Sequence, residues 1–295
     1  MADRLCLLAV HAHPDDEASK GAGTIARYHA EGVHTVLVTA TGGEEGEILN
    51  PTLDTPEVRA RLAAIRRREL EKAAAVIGYD EVVLLGYRDS GMADTAANAD
   101  PRSFAQAPLA EAVGRLVAAI RRTRPQVIVT YPDEQSRYRH PDHLRVHEIS
   151  LAAFDAAGDP GAFPLAGRPF QPAKLYYTVW SLELTMRRHE KFLELGIESP
   201  YAEWFEDGWP NRMSELAPTA RIDVAGYYDA RRGGLLAHAT QIDPSSPFWF
   251  GLPEEVDRQL YAADAYICAR NLVGPIGEED DLFAGIREKV TASGG

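Results

Sequence analysis

Two short segments of this sequence bring histidine and aspartate side chains together at a spacing that suits a divalent metal. The first, His11-Ala12-His13-Pro14-Asp15-Asp16-Glu17, directly follows a short apolar run, and the second is Arg139-His140-Pro141-Asp142-His143. A catalytic zinc site takes three protein ligands and keeps one position open for water. Two imidazoles and one carboxylate meet that need, and a second carboxylate remains as a general base. The two segments together therefore predict metal-assisted hydrolysis.

The first segment has a second interpretation when it is considered alone. Pro14-Asp15-Asp16 would also be expected at the start of a helix, because aspartate is a common N-cap residue and acids are favoured in the first helical turn. The second segment shifts the balance towards a metal, because it supplies further ligands behind another predicted strand.

The surrounding secondary structure must place these two segments, and the first half of the chain alternates short apolar runs with amphipathic stretches. The runs predicted to be strands are Leu5–Val10, Thr35–Thr39, Val82–Leu85 and Gln126–Tyr131. The stretches predicted to be helices are Ala22–Glu31, Glu57–Ile77, Leu109–Thr123 and a segment from Pro141 to about Ala157. This alternation with fully apolar strands indicates a parallel sheet with helices on both faces. Because the carboxyl ends of such strands form the ligand crevice, both histidine segments should open at the same edge.

The second half of the chain is less regular. A loop rich in proline and glycine over Asp159–Pro172 precedes a predicted strand, Lys174–Trp180, and a predicted helix, Leu182–Leu195. The remaining segments with a recognisable pattern are Arg221–Val224, the helix-like Tyr227–Thr240 and the tail Val256–Tyr266. We predict an α/β fold, a Rossmann-like and mostly parallel sheet with a C-terminal elaboration. Residues 1–180 would form the catalytic core, and residues 181–295 would pack on it and complete the substrate pocket as part of one structural unit.

Composition narrows the classes of partner. The chain has 295 residues, of which 45% are hydrophobic, and a net charge of −13. Such a charge argues against non-specific nucleic-acid binding, which requires a basic surface. Two cysteines, Cys6 and Cys268, are too few for a disulfide framework, and no apolar run is long enough to cross a membrane. We expect a cytoplasmic protein without a membrane or nucleic-acid partner, and a homo-oligomer is compatible with the sequence.

The sequence resembles the LmbE-like, or PIG-L-type, family of zinc deacetylases. The family signatures are His-Pro-Asp-Asp-Glu near the N-terminus and His-Pro-Asp-His farther on, which here are His13–Glu17 and His140–His143. Longer stretches are similar to the amidase branch of the family, whose substrates are mycothiol S-conjugates. These stretches include Thr41-Gly42-Gly43-Glu44, Gly46-Glu47-Ile48-Leu49-Asn50-Pro51, Asp89-Ser90-Gly91 and His238-Ala239-Thr240-Gln241-Ile242-Asp243-Pro244. The resemblance spans nearly the whole chain.

The resemblance implies one zinc ion per chain, held by His13, Asp16 and His143. The native metal is left open, because Fe²⁺ also accepts two histidines and one carboxylate. The resemblance further implies that Asp15 is the general base, which takes a proton from the water that attacks the amide carbonyl. A carboxylate beside a metal that lowers the pKa of water is suited to that task.

Three further catalytic residues are implied in and just before the second segment. His140, as an imidazolium, would stabilise the oxyanion or protonate the leaving amine, and Asp142 would hold and charge that imidazole. Tyr138 matches a family tyrosine that polarises the carbonyl. The stretch 131–138 departs from the family pattern, because it lacks the usual Gly-Gly pair before this tyrosine and is one residue longer. We therefore expect a differently shaped loop over 132–137.

The implied substrate contacts are scattered over the chain. Arg66 and Asp89 would hold sugar and cyclitol hydroxyls, although Arg66 also suits a solvated helix position. Glu47 and His238 lie in shared stretches and would contact the substrate in the pocket. Lys20 stands where the deacetylase branch usually has a small polar residue. It would contact a larger thiol substituent or, alternatively, be a solvated lysine at a helix start.

These expectations favour an amidase that cleaves the cysteinyl-glucosamine amide of mycothiol S-conjugates and releases an N-acetylcysteine S-conjugate and glucosaminyl-inositol. The alternative is an N-deacetylase that acts on N-acetylglucosaminyl-inositol or another amino sugar, including an intermediate of natural-product biosynthesis. A non-catalytic metal- or sugar-binding protein is a third class. The intact Asp15 and the intact ligand set argue against it.

Overall fold

Seven strands form one mostly parallel sheet within the part of the chain that the structure describes. The computed structural model describes residues 4–133, 138–208, 210, 217–274 and 277–287. The strands are β1 (Cys6–His11), β2 (His34–Thr41), β3 (Glu81–Tyr87), β4 (Val127–Thr130), β5 (Lys174–Val179), β6 (Ala220–Asp223) and β7 (Ala263–Asn271). Their order in the sheet is β3-β2-β1-β4-β5-β7-β6. The first five pair in parallel, while β7 is antiparallel to both β5 and β6. The predicted α/β fold with a mostly parallel sheet is confirmed.

Helices cover both faces of this sheet. The α-helices are α1 (Asp16–Ser19), α2 (Ala22–Ala30), α3 (Pro56–Arg59), α4 (Leu62–Ile77), α5 (Leu109–Thr123), α6 (Pro141–Ala157), α7 (Leu182–Glu194), α8 (Ala202–Glu206), α9 (Tyr228–Ala237), α10 (Pro247–Phe250) and α11 (Glu254–Leu260), with 3₁₀ turns at Phe104–Gln106 and Ala225–Tyr227. Side chains alternate along β1, so Leu7 and Ala9 join the core under α2, α4 and α9. Leu8 and Val10 join the core under α5 and α6 on the opposite face. Every residue of β1 is buried, which explains its uninterrupted apolar run.

Two predicted elements are divided in the structure. The helix expected over Glu57–Ile77 breaks at Arg61, whose backbone leaves the helical region with φ −125° and ψ 15°, so that α3 and α4 are separate. The tail Val256–Tyr266 contains the end of α11 and the beginning of β7. Periodicity alone did not show this strand, because its residues mix small, charged and aromatic types and its pairing partners are distant in sequence.

The strand order creates a crevice at the carboxyl end of β1. β1 lies between β2 and β4, so the chain runs from β1 to one neighbour and returns later to pair on the other side. Ligands of open α/β sheets bind at such a switch point. β6 and β7 extend the same sheet. The division of the chain at residue 180 into a catalytic core and a C-terminal elaboration stays a prediction. None of the helices in the described residues is long and apolar enough to span a bilayer.

Candidate active site

The segment after β1 turns sharply and directs an imidazole and two carboxylates into the crevice. The side chain of Asp16, the first residue of α1, accepts the backbone N–H of His13 at 2.9 Å. Asp15 occupies the N-cap position, yet its side chain makes no capping hydrogen bond. Its φ of 120° is unusual for a residue with a side chain. Helix capping therefore does not account for this aspartate.

The second segment enters the crevice as the start of α6. Pro141 is the first residue of the helix, where a missing N–H costs nothing. Nδ1 of His140, the N-cap residue, accepts the backbone N–H of Asp142 at 3.2 Å. This hydrogen bond leaves the proton of the neutral ring on Nε2, which lies 3.9 Å from Asp89 Oδ1. Burial and the nearby His13 lower the pKa of His140, and the expected role of this residue as an imidazolium stays a prediction.

The three predicted metal ligands come together between these segments. His13 Nδ1 lies 3.6 Å from Asp16 Oδ2, and His143 Nε2 lies 3.4 Å from the same oxygen. A tetrahedral zinc site with bonds of about 2.0–2.1 Å separates its ligands by about 3.3–3.5 Å. His143 Nε2 is buried and has no aligned hydrogen-bond partner among the described residues. The donor set and its spacing therefore fit a metal ion.

The carboxylate of Asp142 contacts His13, whereas its backbone N–H donates to the ring of His140. Its Oδ2 lies 3.2 Å from His13 Nε2, the ring nitrogen on the far side from Asp16. Asp142 Oδ2 also accepts the backbone N–H of Ser90 at 3.0 Å, and its Oδ1 accepts the Ser90 hydroxyl. A carboxylate that binds the second nitrogen of a histidine orients the first nitrogen for a metal. The described hydrogen bonds of this carboxylate go to His13 and Ser90, and its expected role in charging the His140 imidazole stays a prediction.

Arg66 binds the loop after β1 and also lines the cavity. Its guanidinium is buried, lies 3.1 Å from Asp15 Oδ2, and donates to the carbonyl oxygens of Pro14 at 2.5 Å and Gly43 at 2.7 Å. Burial raises the pKa of Asp15, and the positive charge of Arg66 opposes that increase. The alternative of a solvated helix position is wrong, because Arg66 is buried, and its role in holding sugar hydroxyls stays a prediction.

His238 is also committed to a protein contact. Its Nε2 lies 2.5 Å from Glu17 Oε1, and both side chains are fully buried. The other oxygen of Glu17 accepts the backbone N–H of Asp15 at 3.0 Å. His238 does not line the cavity at the sheet edge, which corrects its predicted role as a substrate contact. Instead, it supports the carboxylate that holds the unusual backbone of Asp15.

Asp89 and Lys20 lie at the same centre. Asp89 Oδ1 is 3.6 Å from His13 Nε2, and this carboxylate also accepts the backbone N–H of Gly91 at 2.8 Å. Lys20 Nζ lies 2.5 Å from Asp16 Oδ1. Burial alone would lower the pKa of Lys20, but Asp16 raises it above its usual value. Lys20 thus neutralises a candidate ligand and still lines the cavity.

Tyr138 and Glu47 are the most accessible of the predicted site residues. The Tyr138 side chain is exposed, and its ring centre lies 5.7 Å from that of His140 and 5.6 Å from that of His143. Glu47 is also exposed, and it lines the cavity. The predicted change of loop shape over 132–137 falls largely outside the described residues, because 134–137 are not described.

One large cavity contains this centre. Its volume is about 1010 Å³, and its lining includes the candidate ligands, Asp15, Asp89, Tyr138 and His140. Aromatic side chains from the second half of the chain form another part of the lining, namely Trp180, Tyr201, Trp204, Phe248, Trp249, Tyr261 and Tyr266. A volume of this size accommodates a drug-sized molecule. The buried cluster is therefore reached through a deep pocket.

Comparison with known proteins identifies the family. Residues 8–154 match the PIG-L family, described as GlcNAc-PI de-N-acetylase. Mycothiol S-conjugate amidase from Streptomyces coelicolor is 41% identical over 98% of this chain and 99% of its own. This chain belongs to the PIG-L family. Another relative in the family is 1D-myo-inositol 2-acetamido-2-deoxy-alpha-D-glucopyranoside deacetylase from Geodermatophilus obscurus, 40% identical over 95% of this chain and 97% of its own.

The fold of the PIG-L family is also found among solved structures. N,N'-diacetylchitobiose deacetylase from Pyrococcus horikoshii superposes with a TM-score of 0.62, covering 93% of this chain and 87% of its own at 17% identity. At that identity the similarity establishes the fold. Family membership and the nearly full-length relatives establish this chain as a hydrolase of carbon–nitrogen bonds other than peptide bonds.

Several residues that support the site of this PIG-L protein were not singled out from the sequence. Ser90 holds Asp142, and Tyr131 stacks on His143 with ring centres 4.7 Å apart while its hydroxyl accepts the backbone N–H of Ala12 at 3.0 Å. Tyr131 ends the predicted strand Gln126–Tyr131, and Ser90 lies in the shared stretch Asp89-Ser90-Gly91; these positions were the available signal. Their partners lie on other strands and helices, so the contacts themselves carry no local signature.

Proposed function

We propose that this protein is a zinc-dependent amidase that cleaves the cysteinyl-glucosamine amide of mycothiol S-conjugates and releases an N-acetylcysteine S-conjugate and glucosaminyl-inositol. One observation carries the proposal. The buried group of His13, Asp16 and His143, with Asp15 beside it, opens into a cavity of about 1010 Å³. The relative from Streptomyces coelicolor, which aligns over 98% of the chain at 41% identity, is named for this substrate class.

Zinc is the metal that the ligand spacing favours. An octahedral site with bonds near 2.1 Å brings adjacent ligands to about 3.0 Å, whereas a tetrahedral site separates them by about 3.3–3.5 Å. The separations of 3.4 and 3.6 Å between the candidate ligand atoms are closer to the tetrahedral value. We therefore assign His13, Asp16 and His143 as zinc ligands. Fe²⁺ is the alternative, and analysis of the metal bound to the purified protein distinguishes the two.

The proposed mechanism uses the residues around this centre. When bound, zinc polarises the amide carbonyl and lowers the pKa of water towards 7. Asp15 takes the proton of the attacking water at its carboxylate and supplies it to the leaving amine nitrogen. His140 donates its Nε2 proton in a hydrogen bond to the developing oxyanion. Tyr138, at the mouth of the cavity, supplies a second donor to that oxygen.

Cavity size bears on the choice between an amidase and a deacetylase. A deacetylase needs space for an acetyl group on the acyl side, whereas a cysteine conjugate carries a far larger acyl arm. The cavity, at about 1010 Å³, lies at the upper end of the range for small-molecule sites. The deacetylase named for the inositol glucosaminide is 40% identical, so similarity alone does not discriminate between these substrates. The volume favours the amidase.

Parallel assays on two substrates test this proposal. Release of primary amine would be measured from a bimane conjugate of mycothiol and from N-acetylglucosaminyl-inositol, with zinc restored after chelation. The proposal predicts a higher kcat/KM for the conjugate. A higher kcat/KM for the acetyl sugar would instead assign the protein to deacetylation, and activity on neither would leave the amidase proposal without support.

A further inference from the structure

The cavity has two chemically different walls on opposite sides of the candidate metal centre. In the sheet order, β2 and β3 lie on one side of β1, while β4 and β5 lie on the other. Glu45 and Glu47 follow β2, and Asp89 follows β3, so we call these three residues the polar wall. The ligands of the metal centre follow the carboxyl end of β1 or lie at the start of α6. The metal centre therefore lies between the polar wall and the residues that follow β5.

The opposite side of the cavity is aromatic. Trp180 directly follows β5, Trp204 lies in α8, and Phe248 lies in α10, and we call these three residues the aromatic wall. The rings of Trp180 and Phe248 stack with centres 5.9 Å apart, and Trp204 lies 6.3 Å from Trp180 and 5.8 Å from Phe248. All three line the cavity and are only half-buried. An open cluster of large aromatic side chains is the usual mark of a binding surface.

The aromatic wall is held in place by polar contacts behind it. Trp180 Nε1 donates to Thr185 Oγ1 at 2.8 Å, which fixes the orientation of the indole. Arg188 Nε lies 3.0 Å from Asp257 Oδ1, and both of these side chains are buried, so α7 and α11 are joined beside the wall. A preorganised surface of this kind loses little conformational entropy when a ligand binds.

An amide bound with its carbonyl at the metal centre extends two arms in opposite directions. The amine arm of the proposed substrate carries sugar and cyclitol hydroxyls, which need polar partners, and the acyl arm carries the thiol substituent. Resting on the proposed function, we propose that Trp180, Trp204 and Phe248 form the subsite for an apolar or aromatic S-substituent. The amine arm then lies along Glu45, Glu47 and Asp89. The subsite makes the thiol substituent, and not only the sugar, a determinant of rate.

The test compares two S-conjugates that differ only in the substituent, S-bimane and S-methyl mycothiol. The measured quantity is the ratio of their kcat/KM values in the wild-type protein and in Trp204→Leu. Loss of an aromatic contact is worth roughly tenfold or less in binding. We expect Trp204→Leu to reduce the bimane-to-methyl ratio by about fivefold to tenfold, and Trp204→Phe to restore most of it.

Two controls separate the subsite from a general defect. Phe205→Leu changes the neighbouring residue of α8, whose ring stacks on His189 with centres 4.2 Å apart and does not line the cavity, so the ratio should stay at its wild-type value. In Trp204→Leu, kcat/KM should fall less for the S-methyl conjugate than for the S-bimane conjugate. An unchanged ratio in Trp204→Leu, or an equal loss on both conjugates, overturns the subsite while the amidase proposal stands. A wild-type protein that hydrolyses neither conjugate overturns both.

Discussion

The buried pair of Glu17 and His238 gives a quantitative prediction about what supports the proposed general base. Both side chains are fully buried, 2.5 Å apart, and come from positions 221 residues apart in the chain. Burial alone would lower the pKa of His238, but Glu17 raises it above its usual value. Burial alone would raise the pKa of Glu17, but His238 outweighs that effect and the pKa is lowered. Both shifts favour the charged form of the pair.

His238→Ala removes the cation and leaves the Glu17 carboxylate buried without its partner. Breaking a buried pair in this way costs about 3–5 kcal/mol of folding free energy. For a chain of this size, each kcal/mol lowers the melting temperature by about 2 °C, so we expect Tm to fall by about 6–10 °C. Thermal unfolding of the zinc-loaded protein at pH 7, followed by calorimetry, measures this change.

Two further variants identify the cause of the loss. Adding Glu17→Gln to His238→Ala removes the stranded charge while keeping an acceptor for the backbone N–H of Asp15, so Tm should recover in part. His29→Ala breaks a contact of 3.5 Å to Asp80 at the surface, and such pairs contribute about 0–1 kcal/mol. If His238→Ala destabilised the protein no more than His29→Ala does, the reasoning about the buried pair would be refuted.

The pair also predicts a dependence of stability on pH. The raised pKa of His238 means that its stabilisation is complete below the unfolded value of 6.5 and is lost as pH rises through the folded pKa. The lowered pKa of Glu17 means that its stabilisation is present above the unfolded value of 4.5 and is lost as pH falls through the folded pKa. Tm differences between wild type and His238→Ala should therefore be largest between these limits and shrink on both sides.

Three other changes have defined expectations. Asp142→Ala should weaken zinc affinity by about 10–100-fold, measured by competition with a chelator, because its carboxylate orients a candidate ligand. Arg66→Met should move the acidic limb of the pH profile of kcat/KM to higher pH. Loss of the guanidinium raises the pKa of Asp15 further, and the carboxylate of Asp15 is the active form. Arg66→Lys keeps a positive charge and should move the acidic limb less. Lys174→Met should cost about 3–5 kcal/mol in urea unfolding, because it strands the buried Glu279, which lies 2.5 Å from Lys174; an unchanged midpoint would contradict this.

The parallel part of the fold could be predicted from the sequence because its strands are buried on both faces. The apolar run of β1 is a local signal, as are Gly78 and Pro125, which lie just beyond the ends of α4 and α5. The structure has strands and helices close to the predicted positions. β7 could not be predicted in this way. Its residues alternate imperfectly, and its position depends on antiparallel pairing with β5 and β6.

The candidate ligands could likewise be predicted, but the partners of the surrounding side chains could not. His13, Asp16 and His143 lie in two short motifs whose strands end at the same edge, so topology alone brings them together. The resemblance implies a place in the pocket for both Arg66 and His238, yet it does not state which groups each side chain contacts. Their buried contacts with the loop after β1 depend on packing between elements far apart in sequence.

The most direct test of the proposed centre measures metal content and turnover together in Asp15→Ala. We predict that this variant keeps about one zinc per chain, because His13, Asp16 and His143 are intact. We also predict that kcat on the bimane conjugate falls by about 10²–10⁴-fold through loss of the general base. Loss of the zinc along with activity would show that Asp15 is itself a ligand. Retained turnover would show that another group takes the proton, and either result would contradict the assignment.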